Sequence, residues 1–414
     1  MATSEHSKSS FEKTMAQIIV KFKLFHSASI IEKSSEKPNL STCEQSVSSA
    51  ISDSAISSAS RTENTATKFH AYCCHGSTSN NNRSKYYHTR NSPHWDAIDA
   101  VKNRDGNLQL SHFRKIKRIG GGGAGSVFLA ELRGTKTYFA VKVEEIGGSN
   151  VRGMKNEIQL LQMLDHPLLP TLYFHCERGG KFYFVTEYCP AGDLNSLRRK
   201  QIGGFFPEEI AKFYCAEILL ALEYLHSLGI VYRDLKPENV LVREDGHLML
   251  IDFDLSQSFH HHGIDFVAEP WRGRSHSIVG TREYLAPEIV EEKGHGNAVD
   301  WWTLGVFLYE LLYGSTPFIG WDTADTISNI VDEELFFPAI PHVSLEAKNL
   351  IRALLVKEPD KRIGRKRGAT DIKKHAFFQD IKWPLVLSRT PPSLPKLHIK
   401  PITSAELQVR EESW

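Results

Sequence analysis

The chain has 414 residues, 41% hydrophobic and 24% charged, the balance of a globular protein with room for a two-lobed domain and tails. Lys and Arg number 50 against 49 Asp and Glu, and a net charge of +1 argues against bulk electrostatic binding, so no nucleic-acid partner is expected. Six cysteines without paired spacing point to a reducing, intracellular setting, and no apolar run is long enough to span a bilayer.

Residues 1–92 are dominated by Ser, Thr, Asn and Lys and carry few aromatics. Such a stretch buries too little apolar surface to offset chain entropy, so a disordered tail is expected. Within it, residues 18–25 are apolar and mildly basic, which reads as a transient helix or strand. His70, Cys73, Cys74 and His75 lack a second half-site at zinc-finger spacing and read as an accidental cluster. The pattern changes at Trp95, inside a lead-in segment over 93–112. Strands are expected at 113–119 and 127–132, flanking a glycine run, then a turn at 133–136 and a third strand at 138–143. Ile158, Leu161 and Leu164 recur at helical spacing and predict a helix over 150–164. Strands at 171–175 and 182–187 complete a small sheet. Pro207, Glu208 and Glu209 open a long helix that Gly229 closes. Further helices are expected at 298–313, 322–332 and 345–355. This order predicts an α+β molecule of two lobes with a cleft between them. The small, mostly antiparallel β lobe covers 113–190, the larger, mostly α lobe covers 191–383, and a Pro-rich tail covers 384–414.

Three motifs carry chemistry. Ile119 precedes the run Gly120, Gly121, Gly122, Gly123, Ala124, Gly125, Ser126 and Val127, which contains G-x-G-x-x-G-x-V. A strand rather than a helix follows these glycines, so the loop is a hairpin tip over phosphates and not a dinucleotide fold. Lys142 stands on the third strand, in Phe139-Ala-Val-Lys142. The run Val-Tyr-Arg-Asp-Leu-Lys-Pro-Glu-Asn at 231–239 packs Asp234, Lys236 and Asn239 into one short loop. Transfer of a phosphoryl group to a hydroxyl needs that set: one group to orient the hydroxyl and take its proton, one to neutralise the moving phosphoryl, one to hold a metal ion. Asp252 follows in Asp-Phe-Asp at 252–254. Mg2+ takes oxygen ligands, so this carboxylate with the Asn239 amide is chemically apt.

Together these motifs resemble the eukaryotic protein kinases over residues 113–383. Tyr-Arg-Asp at 232–234, Asp-Phe-Asp at 252–254 and Val-Asp-Trp-Trp-Thr-Leu-Gly at 299–305 resemble the plant AGC group VIII. The stretch from Trp95 to Val101 and Arg104-Asp-Gly106 looks like its auxin-transport-regulating branch. The resemblance implies a two-lobed kinase fold and transfer of the ATP γ-phosphate to Ser/Thr hydroxyls of proteins, with ATP and Mg2+ as cofactors. Lys142 would contact the α- and β-phosphates, and Asn239 and Asp252 would hold metal. Glu157 is the expected partner of Lys142, because Glu157-Ile-x-Leu-Leu matches the helix of that family, while Glu144 and Glu145 are expected to stand too close along the strand to serve. Backbone at Glu187, Tyr188 and Cys189 would bind adenine, with Thr186 behind the base. Ser277 matches the activation-loop phosphosite, whose charge Arg233 could pair, and Thr281 would support Asp234. Asp193 and Glu238 match acidic positions that favour basic residues before the acceptor. Glu288 of Ala-Pro-Glu would pair with Arg362, and Asp300 would brace the catalytic loop, both structural roles.

The partners so implied are protein substrates, PIN-type auxin efflux carriers among them, and an upstream activating kinase. The chain is expected to be monomeric and cytoplasmic, with peripheral association at the plasma membrane and a nuclear pool both open. Departures from the group are plain. Gly123 and Ala124 replace bulkier residues at the loop tip, and Asp254 replaces a glycine that would be free at φ > 0. Only residues 255–285, with His260, His261 and His262, separate Asp-Phe-Asp from Ala-Pro-Glu, where the group carries a long insertion. Residues 406–414 carry no Phe-x-x-Phe motif. A weakly active pseudokinase or scaffold of the same fold is the alternative reading. A small-molecule kinase is disfavoured by the peptide platform that 280–288 resembles.

Overall fold

Segments rich in β-branched and aromatic residues after Phe113 build a five-stranded sheet in the computed structural model. The structure describes residues 85–122, 125–147, 151–259, 275–277, 279–392 and 414. The tail before residue 85, the loop tip at Gly123 and Ala124, the histidines at 260–262 and residues 393–413 lie outside it. Strands β1 (Phe113–Gly122), β2 (Gly125–Leu132), β3 (Thr137–Glu145), β4 (Phe174–Arg178) and β5 (Lys181–Glu187) pair antiparallel in the order β1-β2-β3-β5-β4. Directly paired residues share a face. Lys142 therefore lies beside Val127 and Phe184, while Val141 lies beside Phe128 and Val185 on the opposite face.

That opposite face is covered by a helix the composition had concealed. Within the lead-in segment, α1 (Pro93–Asp105) buries Trp95, Ile98 and Val101 against Phe113, Phe139, Val141, Tyr173 and Val185. Pro93 in its first turn is pre-set for helix. The tail boundary at residue 92 is also too late. Tyr86 is 2% exposed and stacks on Trp95 at 6.0 Å, so residues 85–92 belong to the small lobe. Two aromatics suffice to anchor a segment whose neighbours are polar. The fourth strand begins at Phe174 rather than 171, because the Thr171 amide donates to the Glu187 carboxylate at 2.9 Å instead of to a strand. Trp414 also docks on this lobe: its indole nitrogen donates to the Phe113 carbonyl at 2.6 Å, and its ring meets Phe128 and Tyr183 edge-on.

On the inner side, α2 (Val151–Met163) runs beside the sheet. The larger lobe opens with α3 (Leu194–Arg199) and α4 (Glu208–Ser227) and is centred on α6 (Ala298–Tyr313), with the short α5 (Pro287–Val290) before it. Every residue of α6 is buried, as its all-round apolar sequence requires. Helix α8 (Leu345–Leu354) crosses it closely: a Cβ on Gly305 would meet Leu354 Cβ at 2.8 Å. The remaining helices, α7 (Thr323–Asp332) and α9 (Ala369–Lys373), pack outside. Two short antiparallel pairs set the functional loops. Strand β6 (Ile230–Val231) pairs with β9 (Gln257–Ser258), and β7 (Val240–Val242) with β8 (Leu248–Leu250). Residues 232–239 and 251–256 are thus held at both ends. No helix of the described residues is long and apolar enough to cross a membrane.

Candidate active site

The loop after β6 turns through Arg233, whose φ of 71° is left-handed and unfavourable for a side chain of that size. Asp300, fully buried at the start of α6, holds that turn. Its carboxylate accepts the Tyr232 amide at 2.9 Å and the Arg233 amide at 2.8 Å, and His226 Nε2 lies 2.7 Å away. The strained turn delivers Asp234 into the cleft. Asp234 Oδ2 accepts Lys236 Nζ at 2.7 Å and Asn239 Nδ2 at 2.8 Å, and Oδ1 accepts the Thr281 hydroxyl at 3.0 Å. Lys236 Nζ also donates to Thr281 Oγ1 at 2.9 Å. This is a carboxylate fixed in orientation by three donors, with an ammonium beside it.

Asp252 enters from the β8–β9 connection, also left-handed at φ 65°. Burial raises its carboxyl, Lys142 draws it down, and the charges of Asp254, Asp234 and Lys236 reach it as well. Lys142 lies at the centre of the acidic groups. Its Nζ is 2.8 Å from Glu157 Oε2, 3.5 Å from Asp252 Oδ1 and 3.4 Å from Asp254 Oδ1. Burial alone would lower the ammonium, but Glu157, Asp252, Asp254 and Glu144 hold it well above the ordinary lysine range. Burial likewise pushes the Glu157 carboxyl well up, against the pull of Lys142.

One expectation is corrected here. Glu144 does reach Lys142, with Oε1 2.8 Å from Nζ. Residues two apart on a strand project from the same face, so closeness along the chain brings them together rather than apart. Glu145, one residue further, points away and is exposed. Asp254 is not among the residues at positive φ, so this position does not need glycine's freedom.

The remaining expected residues fall around this centre. Ile119, Gly120, Gly121 and Gly122 end β1, and Gly125, Ser126 and Val127 begin β2 above Lys142. Glu187 closes β5, and Cys189 is buried where the lobes join, its thiol pushed up to about 12 by burial. Asp193 is not a free surface charge. It caps α3, accepting the Ser196 amide and hydroxyl, each at 2.7 Å. Glu238 is exposed and accepts Asn195 Nδ2 from that same helix. Glu288 and Arg362 form the expected buried bidentate pair, at 2.7 and 2.9 Å.

A protein kinase domain is the family that matches this chain, over residues 113–378. A protein kinase of Oryza sativa subsp. indica is 45% identical over 382 residues, covering 75% of this chain and 65% of that protein. A serine/threonine-protein kinase of Arabidopsis thaliana is 43% identical over 433 residues, covering 88% of this chain and 81% of its own length. Serine/threonine-protein kinase AGC1-7 of the same plant is 45% identical over 378 residues, covering 75% of this chain and 68% of itself. The chain belongs to the protein kinase family. Its relatives place it among the plant AGC kinases, and it spans just under two thirds of the length of the rice relative.

In this member of the protein kinase family the segment before Thr281 is tied to the loop at 232–239. Ser277 is exposed, and Arg233 Nη1 donates to its hydroxyl at 3.0 Å. Arg233 also donates to Leu255 O at 2.6 Å and Gln257 Oε1 at 2.7 Å, and burial lowers its guanidinium to about 10. Ser275 and His295 exchange backbone hydrogen bonds at 2.8 and 2.9 Å. Burial and the nearby Arg233 charge hold the His295 imidazole down at about 4. A histidine in the unfolded chain titrates near about 6.5. Between those values the unfolded state takes up a proton that folded His295 does not, so stability is lost as pH falls through that window. The expected loss reaches about 3 kcal/mol below both values, and is absent above about pH 7. Urea unfolding from pH 7 to 4.5 measures it, with His295→Gln expected to flatten the slope. An unchanged slope in the variant contradicts the assignment.

Proposed function

We propose that this chain is an active serine/threonine protein kinase that transfers the ATP γ-phosphate to protein hydroxyls. The observation that carries the proposal is the constellation of Asp234 bonded by Lys236, Asn239 and Thr281, facing a Lys142–Glu157 pair across the cleft. Asp234 receives the acceptor hydroxyl and takes its proton as the oxygen attacks the γ-phosphorus, and ADP leaves. Lys236 neutralises charge on the moving phosphoryl, and Lys142 holds the α- and β-phosphates. The glycine hairpin from Ile119 to Val127 covers the phosphates, and backbone at Glu187 and Cys189 binds adenine.

Asn239 and Asp252 fit Mg2+. The Asn239 amide nitrogen is committed to Asp234 O and Oδ2, so its oxygen is the atom left for a hard cation, beside the Asp252 carboxylate. When bound, the ion neutralises phosphate charge. The intact set of Lys142, Glu157, Asp234, Asn239 and Asp252 favours activity over a scaffold role. The catalytic unit is proposed to run from 113 to 383, capped by 85–112.

Phosphate on Ser277 is proposed as the activating modification, since Arg233 already reaches that hydroxyl. Asp193 and Glu238, joined through α3, give the cleft an acidic rim suited to basic residues before the acceptor. We extend the proposal to basic segments of plant signalling proteins, PIN-type auxin efflux carriers among them, on the strength of the resemblance alone. A degenerate peptide library with fixed Ser, Thr or Tyr acceptors tests the reading. Phosphate on Ser and Thr, favoured by upstream Arg or Lys, is expected. Transfer without basic preference overturns the roles of Asp193 and Glu238, and transfer confined to Tyr overturns the proposed reaction.

A further inference from the structure

We propose that Glu144 is a positioning residue, a second, strand-borne counter-ion that keeps Lys142 at the phosphate site when Glu157 is withdrawn. The proposal rests on the kinase reading above and adds a residue to it.

Lys142 Nζ is equally close to two carboxylates, 2.8 Å from Glu144 Oε1 and 2.8 Å from Glu157 Oε2. They are not equivalent. The Glu157 contact is an aligned hydrogen bond, whereas the Glu144 contact is an ion pair without that alignment. Glu157 is therefore the better partner, and Glu144 is the nearest of the others, closer than Asp252 at 3.5 Å or Asp254 at 3.4 Å. Glu144 has nothing else to hold. Its residue is 0% exposed, and among the described residues neither of its oxygens has a hydrogen-bond partner. A carboxylate buried that deeply is costly unless its one cation stays beside it. The same constraint applied to the cation keeps Lys142 where Glu144 is.

The glycine hairpin is shaped around this side chain. A Cβ on Gly125 would meet Val143 O at 2.4 Å and Glu144 Cγ at 2.9 Å. Gly125 thus leaves the space Glu144 occupies, and the start of β2 shields the carboxylate from water.

What separates the two carboxylates is the element that carries each. Glu157 belongs to α2, which meets the larger lobe through contacts such as Asn156 Nδ2 to Ser256 O at 2.9 Å. A shift of α2 carries Glu157 away. Glu144 belongs to β3, hydrogen-bonded to β2 on one side and β5 on the other, and cannot leave without unravelling the sheet. Were α2 to shift, Lys142 would keep Glu144 beside it, nearer than Asp252 or Asp254, so nucleotide binding depends less on that helix than it would without Glu144.

A double-mutant cycle on the full chain tests this. Wild type, Glu157→Gln, Glu144→Gln and the double variant are compared for the dissociation constant of MgADP by calorimetry, and for KM of ATP and kcat by phosphate incorporation. Glu157→Gln is expected to weaken ADP binding about tenfold more in the Glu144→Gln background than in wild type, with the same factor in KM. A purely structural role for Glu144 would lower the melting temperature without that coupling, and equal factors in the two backgrounds overturn the proposal. Glu144→Met, which fills the same space without charge, is run in parallel in case the amide destabilises the sheet. Glu157→Gln alone gives a separate reading: its cost in ADP affinity is expected to stay below about tenfold, and a loss of about a hundredfold overturns the proposal. Absence of phosphate transfer by a wild type that binds ADP would count against the kinase reading instead, because the binding cycle still reports the coupling.

Discussion

Asp234→Asn is expected to lower kcat for phosphate transfer by about 10³-fold while changing nucleotide affinity only severalfold. Asn keeps the volume and planarity of Asp, so the loop stays in place. The chemistry does not survive the change. Asp234 now receives three donors, from Lys236, Asn239 and Thr281. An amide nitrogen at the Oδ2 position would face two of those donors, so it settles at Oδ1, where the Thr281 hydroxyl can accept it. The group that would take the acceptor proton is then a neutral amide. Nucleotide contacts attributed to Lys142 and the glycine hairpin lie elsewhere and are retained. Steady-state rates paired with ADP calorimetry separate the two effects, and a kcat within tenfold of wild type would remove Asp234 from the proposed role.

Arg362→Ala is expected to cost about 3–5 kcal/mol of stability, the range for breaking a buried ion pair from one side. Arg362 is 2% exposed and Glu288 is also 2% exposed. Their two hydrogen bonds tie α5 to the loop after α8, and Arg362 also donates to Ala298 O at 2.8 Å and Val356 O at 3.0 Å. Truncation strands a buried carboxylate together with the carbonyls of Ala298, Val356 and Lys357. Lysine cannot make the fork and recovers only part of the loss. Urea unfolding measures it, and a change under about 1 kcal/mol would show that water replaces the guanidinium without penalty.

The contrast between these deep contacts and the misread ones shows which parts of the sequence were legible. Helix α6 was expected at 298–313 and lies there, because an all-round apolar run ending at the left-handed Gly314 admits no other register. The sheet was legible from apolar segments set off by the glycine run and by the turn at 133–136. Asp234, Lys236 and Asn239 sit in one short loop, so chain adjacency already put them together. Lys142, Glu157 and Asp252 meet across 15 and 110 residues, and only the family resemblance joined them.

Other features were obscured by physical effects that composition does not show. Helix α1 and Tyr86 were hidden because a Ser- and Asn-rich flank averages away two aromatics that each bury a large area. The start of β4 moved because a side-chain carboxylate took the Thr171 amide. Glu144 was dismissed by distance along the chain when the strand period of two was the signal that mattered. The cap role of Asp193 was available in principle, since an Asp directly before an apolar helical run is a common N-cap.

The most direct test of the central claim is transfer of label from γ-labelled ATP to a basic protein by the purified full chain, followed by phosphoamino-acid analysis. The account predicts label on Ser and Thr that depends on a divalent cation and is lost in Asp234→Asn. Equal incorporation by wild type and Asp234→Asn, with both proteins folded and binding ADP, would contradict it.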